Sequence, residues 1–149
     1  LCADSPDPFL VPGAHRLYRA ESTDLLEWSE ASEVWANPEG GTDPAVWCVS
    51  DTRCFGWFWG GIGSSDGGKT WSVEPSVSVS VPPQLPDVVA VEGGWRMFFL
   101  ASEGVSSAWS ADGRDFAMEG SLDVGSASPS AVVANGGTQL YLSGPQPPQ

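Results

Sequence analysis

Residues 87–95, Asp87-Val88-Val89-Ala90-Val91-Glu92-Gly93-Gly94-Trp95, contain a short apolar run, a glycine turn and an aromatic residue in that order. Related stretches are Asp43-Pro44-Ala45-Val46-Trp47 and Ser130-Ala131-Val132-Val133, the latter followed by Asn135-Gly136-Gly137. The first two starts are 44 residues apart and the last two are 43 apart. This repeat of short branched and aromatic runs, punctuated by Gly and Pro, predicts successive small antiparallel β-sheets.

A second element keeps the same spacing: Ser, any residue, Asp, then a turn and an aromatic residue. It occurs as Ser22-Thr23-Asp24 with Trp28, as Ser64-Ser65-Asp66-Gly67-Gly68-Lys69-Thr70-Trp71, and as Ser110-Ala111-Asp112-Gly113 with Phe116. An Asp side chain can accept hydrogen bonds from turn N–H groups, and Gly permits positive φ. We therefore predict that these stretches are structural turns. We call them the Ser-x-Asp turns.

The two registers together predict an all-β fold, a β-propeller with about three blades in this chain. The predicted blade parts are residues 1–37, 43–82, 87–126 and 129–144, followed by a Pro-rich tail at 145–149. The first part has room for outer strands alone and the last holds two inner strands. Since a propeller ring usually has four to eight blades, two alternatives stay open. Either two chains share a blade and form a six-bladed ring, or the chain is part of a longer propeller.

Charge and cysteine usage exclude several classes of partner. Six Lys and Arg against nineteen Asp and Glu give a net charge of -13, which repels nucleic acid and anionic membranes. No apolar run is long enough to span a bilayer, so no membrane partner is expected. Cys2, Cys48, Cys54 and the lone His15 do not form a zinc pattern. Cys48 and Cys54 flank a turn, which allows a cross-strand disulfide in an exporting compartment and leaves Cys2 over.

The motifs resemble two groups of carbohydrate-acting propellers. The stretch 64–71 resembles the Asp-box of sialidase-type propellers. The Asp-Pro-apolar openings resemble strand starts of five-bladed glycoside hydrolases of family 43 and its relatives in families 32 and 130. The resemblance implies a secreted or periplasmic, carbohydrate-acting protein whose inner-strand carboxylates serve as a general base and an orienting group. It allows a Ca²⁺ ion in the channel without requiring one, and no cofactor is predicted.

Three aspartates are candidate acid/base or sugar-binding groups. Asp43 is the best match to the family pattern, Asp87 occupies the equivalent place one blade later, and Asp7 repeats the Asp-Pro dipeptide outside the register. Ser130 replaces Asp in the last repeat. A general acid is not identified, because none of the glutamates considered for this role lies in a family motif: Glu39, Glu92 and Glu103.

Whether the chain is an enzyme is therefore left open. The alternative is a non-catalytic carbohydrate- or protein-binding module, in which Asp43 and Asp87 cap strand starts.

Eight Trp residues supply a second signal, because indole rings can serve as sugar-stacking platforms. Trp35, beside the loop 37–41, is predicted to be exposed, and Trp47 is a second candidate sugar contact. Five others are expected to pack within or between sheets, either beside the Ser-x-Asp turns or alternating on a strand: Trp28, Trp71 and Trp109, and Trp57 and Trp59.

Overall fold

The computed structural model describes residues 15–37, 43–102, 104–124, 128–134 and 136–143. These residues form strands and turns without a helix, which confirms the all-β prediction. The strands in the described ranges are β1 His15–Arg19, β2 Ser32–Asn37, β3 Ala45–Cys48, β4 Cys54–Trp57, β5 Gly61–Ser64, β6 Ser72–Val73, β7 Ser78–Val79, β8 Gln84–Val91, β9 Gly94–Ala101, β10 Gly104–Ser110, β11 Asp115–Leu122, β12 Ser128–Ala134 and β13 Gly137–Ser143.

The strands form four sheets that follow one another along the chain. Sheet 1 is β1-β2, sheet 2 is β3-β4-β5-β6, sheet 3 has the order β7-β11-β10-β9-β8, and sheet 4 is β12-β13. All strand pairs are antiparallel except β7 with β11. Sheets 2 and 3 thus each contain a four-stranded meander, which short connections favour.

Strand β7 departs from the predicted boundaries, because it lies in the second repeat of the sequence and pairs with sheet 3. The backbone N–H of Ser78 donates to the carbonyl of Arg114, at 2.9 Å. The Ser78 hydroxyl donates to the Asp115 carboxylate, at 2.8 Å. The connection between the two meanders is therefore part of the second meander's outer edge.

A shared core joins sheet 2 to sheet 3. On β3, alternation directs Ala45 and Trp47 into this core and leaves Val46 and Cys48 exposed. The Trp47 ring lies perpendicular to that of Phe116, with centroids 5.6 Å apart. The buried members of this core come from both sheets and the connection: Ala45, Trp47, Phe55, Val77, Met97, Phe99, Ala108 and Phe116.

Sheet 1 packs against sheet 2, and sheet 4 packs against sheet 3. Leu17 of sheet 1 packs with Phe58 and Ile62 of the next repeat in a second core cluster. At the other end, β12 contacts β8 and β9, and β8 also contacts β3. The first strands of three successive repeats are therefore neighbours.

Cys48 and Cys54 form a disulfide across the β3–β4 hairpin. The two residues are directly paired in the strand register, with Cα atoms 3.9 Å apart. The pairing suggested by the turn between them is thus present. Cys2 lies outside the described residues.

The Ser-x-Asp turn at 64–71 is held by its own side chains. The carboxylate of Asp66 accepts hydrogen bonds from the N–H groups of Lys69 and Thr70, each at 3.0 Å, and from the Thr70 hydroxyl at 2.7 Å. The Ser64 hydroxyl accepts from the N–H of Gly68, at 2.9 Å. Gly68 has φ of 82°, a conformation that glycine adopts at low cost.

The other two turns repeat this geometry. In each, the serine hydroxyl donates to the aspartate, at 3.1 Å, and both side chains accept N–H groups of the turn. The N–H donors are Leu25, Leu26 and Glu27 around Ser22 and Asp24, and Gly113 and Arg114 around Ser110 and Asp112. The three turns are structural elements, as predicted from their pattern.

Acid is expected to weaken these turns. Hydrogen bonds from Thr70 and Ser64 hold the pKa of Asp66 far below its usual value, and the N–H groups of Glu27 and Leu26 lower the pKa of Asp24. A carboxyl with a depressed pKa stabilises the fold above its ordinary pKa of about 3.9, and this contribution is lost as pH falls toward the folded-state pKa.

We therefore expect the melting temperature to fall below about pH 4, and the curves of wild type and Asp66→Asn to converge there. Circular dichroism melts across the acid range measure this. Parallel curves at all pH values would show that the Asp66 carboxylate contributes nothing.

Candidate functional site

The two aspartates that the repeat places at equivalent positions lie at neighbouring strands. Asp43 is exposed, two residues before β3, with φ of 55°. Asp87 is half-buried within β8. Asp7, Glu39 and Glu103 lie outside the described residues, and Glu92 is exposed in the turn between β8 and β9.

The carboxylate of Asp87 makes a contact between sheets. Its Oδ2 accepts a hydrogen bond from the backbone N–H of Ala131 in β12, at 2.6 Å. A hydrogen bond to an ionised acceptor is short and strong. The structural alternative expected Asp87 to cap a strand start, but Asp87 lies within β8 and its carboxylate accepts an N–H group of a strand in the neighbouring sheet.

The tryptophans are distributed differently from the sequence expectation. Trp47 is 3% exposed, and its indole N–H donates to the Gly113 carbonyl at 2.9 Å, so its ring is used in packing. Trp35 is half-buried against the second core cluster. The expectation that Trp28 packs between sheets is wrong, since it is 59% exposed, and Trp59 is 67% exposed. Strand β4 ends at Trp57, so Trp59 lies in the following turn.

An aromatic groove lies where β2 meets the β4–β5 hairpin. We define this aromatic groove by Trp35, Asn37, Phe58, Trp59, Gly60, Gly61, Ile62 and Val73, which enclose a volume of about 310 Å³. The Trp35 and Phe58 rings meet edge to face at 5.7 Å. The Asn37 amide donates to the Phe58 carbonyl, at 3.3 Å, which fixes the end of β2 to the hairpin.

Trp59 is presented at this groove by a constrained backbone. Its φ of 62° lies in the left-handed region, which is costly for a residue with a large side chain. The N–H of Phe58 donates to the carbonyl of Gly60, at 3.0 Å, and closes the turn around Trp59. Strained conformations of this kind cluster at ligand sites. The signal that could have located Trp59 in a turn is the Gly60-Gly61 pair directly after it.

Gly61 shapes the groove floor. A Cβ at this position would lie 2.5 Å from the carbonyl oxygens of both Glu74 and Val77. Only a glycine therefore lets the connection after β6 approach the hairpin so closely.

The groove differs from a metal centre. Among the described residues, no group of three or more His, Cys, Asp or Glu side chains is placed to hold a metal ion. None of the described segments forms a helix long and apolar enough to cross a membrane.

Searches against family models, curated proteins and solved structures found no match to the chain.

Proposed function

We propose that the chain is a non-catalytic carbohydrate-binding module whose four sheets are blades, or parts of blades, of a β-propeller, and that the aromatic groove binds a neutral sugar. The propeller assignment is supported by the stacking of successive sheets and by neighbouring first strands. It is also supported by the equivalent Ser-x-Asp turns.

The single observation that carries the binding function is Trp59. Its indole is 67% exposed on a left-handed backbone at an aromatic groove. A hexose has an apolar C–H face and a rim of hydroxyls. A flat, rigid indole complements that face at low cost in conformational entropy.

The size and charge of the site narrow the ligand class. A volume of about 310 Å³ is at the small end of ligand pockets and suits one or two sugar rings. A stable protein partner would bury roughly 800 Å² of this surface, so the small groove favours a sugar over a protein as its ligand. The net charge of -13 disfavours acidic glycans, so the proposed ligand is uncharged. The disulfide suits an oxidising compartment, and we place the protein outside the cytoplasm.

Replacing Trp59 with alanine tests this function. We expect wild type to bind neutral glycans on an array, and Trp59→Ala to weaken the best hit about 30-fold by calorimetry, equivalent to about 2 kcal/mol. The melting temperature should be unchanged, because the side chain is largely exposed.

Trp28→Ala is the matched control, since Trp28 is 59% exposed and does not line the groove. Equal affinity of the wild type and Trp59→Ala, or loss of affinity in both variants, would contradict the assignment. Binding of peptides instead of glycans at Trp59 would favour the protein-binding alternative.

A glycoside hydrolase is the second candidate, favoured by the contact between β3, which Asp43 precedes by two residues, and β8, which contains Asp87. Hydrolysis of aryl glycosides that is lost in Asp43→Asn would support it over the binding module.

A further inference from the structure

One face of sheet 3 carries a row of three residues that differ in size. Met97 and Phe99 of β9 belong to the core shared with sheet 2, so Phe98 between them points to the opposite face. Phe98 pairs with Ser107 of β10, and Ser107 pairs with Gly120 of β11. Directly paired residues of antiparallel strands project on the same face of the sheet. The row therefore runs from an aromatic ring to a hydroxyl group to a position without a side chain.

A groove of about 320 Å³ lies on this face. A Cβ placed on Gly120 would meet no other atom within 4 Å, so the space over this residue is open. Since neighbouring strands are about 4.8 Å apart, Phe98 and Gly120 are separated by roughly 10 Å, which leaves room for one pyranose ring. We call this surface the sheet 3 groove and define it by Arg96, Phe98, Val105, Ser107, Glu119, Gly120 and Leu122.

One end of the sheet 3 groove is formed by an ion pair. Arg96 lies two residues from Phe98 and on the same face of β9. Its guanidinium donates to both carboxylate oxygens of Glu119, from Nε at 2.7 Å and from Nη2 at 2.8 Å. Glu119 is the extra residue of a β-bulge in β11, and bulges re-aim side chains beside binding sites. The two charges offset each other, and both groups retain N–H donors or oxygen lone pairs for a ligand.

The other end of the sheet 3 groove is apolar. Val105 lies two residues from Ser107 on β10, on the side away from Arg96, and it pairs with Leu122 of β11. Val105 is buried, whereas Leu122 is 51% exposed. A ligand that complements both ends has an apolar face and a rim of hydroxyl groups. An anion is disfavoured, because Glu119 already offsets the charge of Arg96 and the chain carries a net charge of -13.

We infer that the sheet 3 groove is a second binding site for a neutral sugar, separate from the aromatic groove. The C–H face of a pyranose packs on Phe98 and Leu122. Its hydroxyl groups form hydrogen bonds with Ser107, Arg96 and Glu119. The inference rests on the proposed function for the class of ligand alone. Two sites on one chain would raise the avidity for a glycan that repeats the same sugar.

Gly120→Val tests this site by filling it. A side chain at residue 120 projects on the face of Phe98 and Ser107, into the open space of the groove. The backbone φ of Gly120 is not left-handed and valine favours strands, so the melting temperature should be unchanged or slightly higher. Gly137→Val is the matched control, because Gly137 also lies in a strand with the same open space. A lower melting temperature for Gly120→Val alone would show that the chain itself fills the groove, and would overturn the inference.

Backbone amide shifts in nuclear magnetic resonance spectra report binding at each groove separately. The probes are linear hexasaccharides of glucose, mannose, galactose and xylose. We expect at least one of them to shift the amide signals of Ser107 and Gly120, and to shift Ser107 equally in Trp59→Ala and in Gly137→Val. Gly120→Val should weaken the dissociation constant reported by Ser107 at least about tenfold, because the added side chain clashes with the sugar.

The pattern of shifts distinguishes the two sites. Shifts around Trp59 without shifts at Ser107 and Gly120 would overturn the second site and leave the aromatic groove in place. Shifts at Ser107 and Gly120 without shifts around Trp59 would support the second site and contradict the proposed function of the aromatic groove. No shift at either groove would overturn both. A Ser107 shift that disappears in Trp59→Ala, or that persists unchanged in Gly120→Val, would also overturn the inference.

Discussion

Trp47→Ala is expected to lower the free energy of unfolding by about 3 to 5 kcal/mol. The indole is 3% exposed in the core between sheets 2 and 3, and its ring packs on Phe55 and Phe116. Truncation removes this buried area and leaves a cavity that neighbours from two sheets cannot easily fill. It also leaves the Gly113 carbonyl without its 2.9 Å donor.

Urea unfolding of three variants separates these contributions. Trp47→Phe keeps a ring but removes the N–H donor, and we expect it to cost about 1 to 3 kcal/mol. Trp59→Ala is the control on an exposed tryptophan, with a change within about 0.5 kcal/mol. A loss below about 1 kcal/mol for Trp47→Ala would mean that the contact between sheets 2 and 3 does not hold the fold together.

Asp87→Ala is expected to destabilise the chain by about 1.5 to 3 kcal/mol, the range for a hydrogen bond to a charged group. The carboxylate is half-buried and accepts the Ala131 N–H from the neighbouring sheet, at 2.6 Å. Asp87→Asn should lose less, because the amide oxygen still accepts this bond. The measurement is again urea unfolding, combined with amide exchange of Ala131, which should accelerate.

Glu92→Ala is the matched control for charge, since Glu92 is an exposed carboxylate in the turn that follows β8. If Asp87 were kept for catalysis instead, its substitution would leave stability unchanged or raise it, because functional carboxylates are commonly held at a cost to the fold. Stabilisation by Asp87→Ala would therefore favour the glycoside hydrolase over the binding module.

The elements that local residue types determine could be predicted from the sequence. Short branched and aromatic runs between glycine turns gave the all-β class. The Ser-x-Asp spacing gave the turns, because serine and aspartate side chains close them without help from distant residues. The cross-strand disulfide followed from two cysteines on either side of a short turn.

Features set by packing between distant residues could not be predicted. Trp47 lies in β3 and Trp59 lies in the turn after the neighbouring strand β4, so the same side chain occurs on adjacent elements. One is buried by Phe116, far along the chain, and the other is exposed by the left-handed turn at Gly60. The transfer of β7 to sheet 3 depends on Arg114 and Asp115, which no local pattern connects to Ser78. Likewise, the bond from Ala131 to Asp87 joins two sheets through residues 44 positions apart.

The central claim is that successive meanders stack face to face, and a nuclear Overhauser spectrum tests it most directly. The Trp47 and Phe116 rings belong to different sheets and lie 5.6 Å apart. We predict strong cross-peaks between the protons of the Trp47 indole and those of the Phe116 ring. A fully assigned spectrum without them would contradict the stacking of sheet 2 on sheet 3, and with it the proposed propeller.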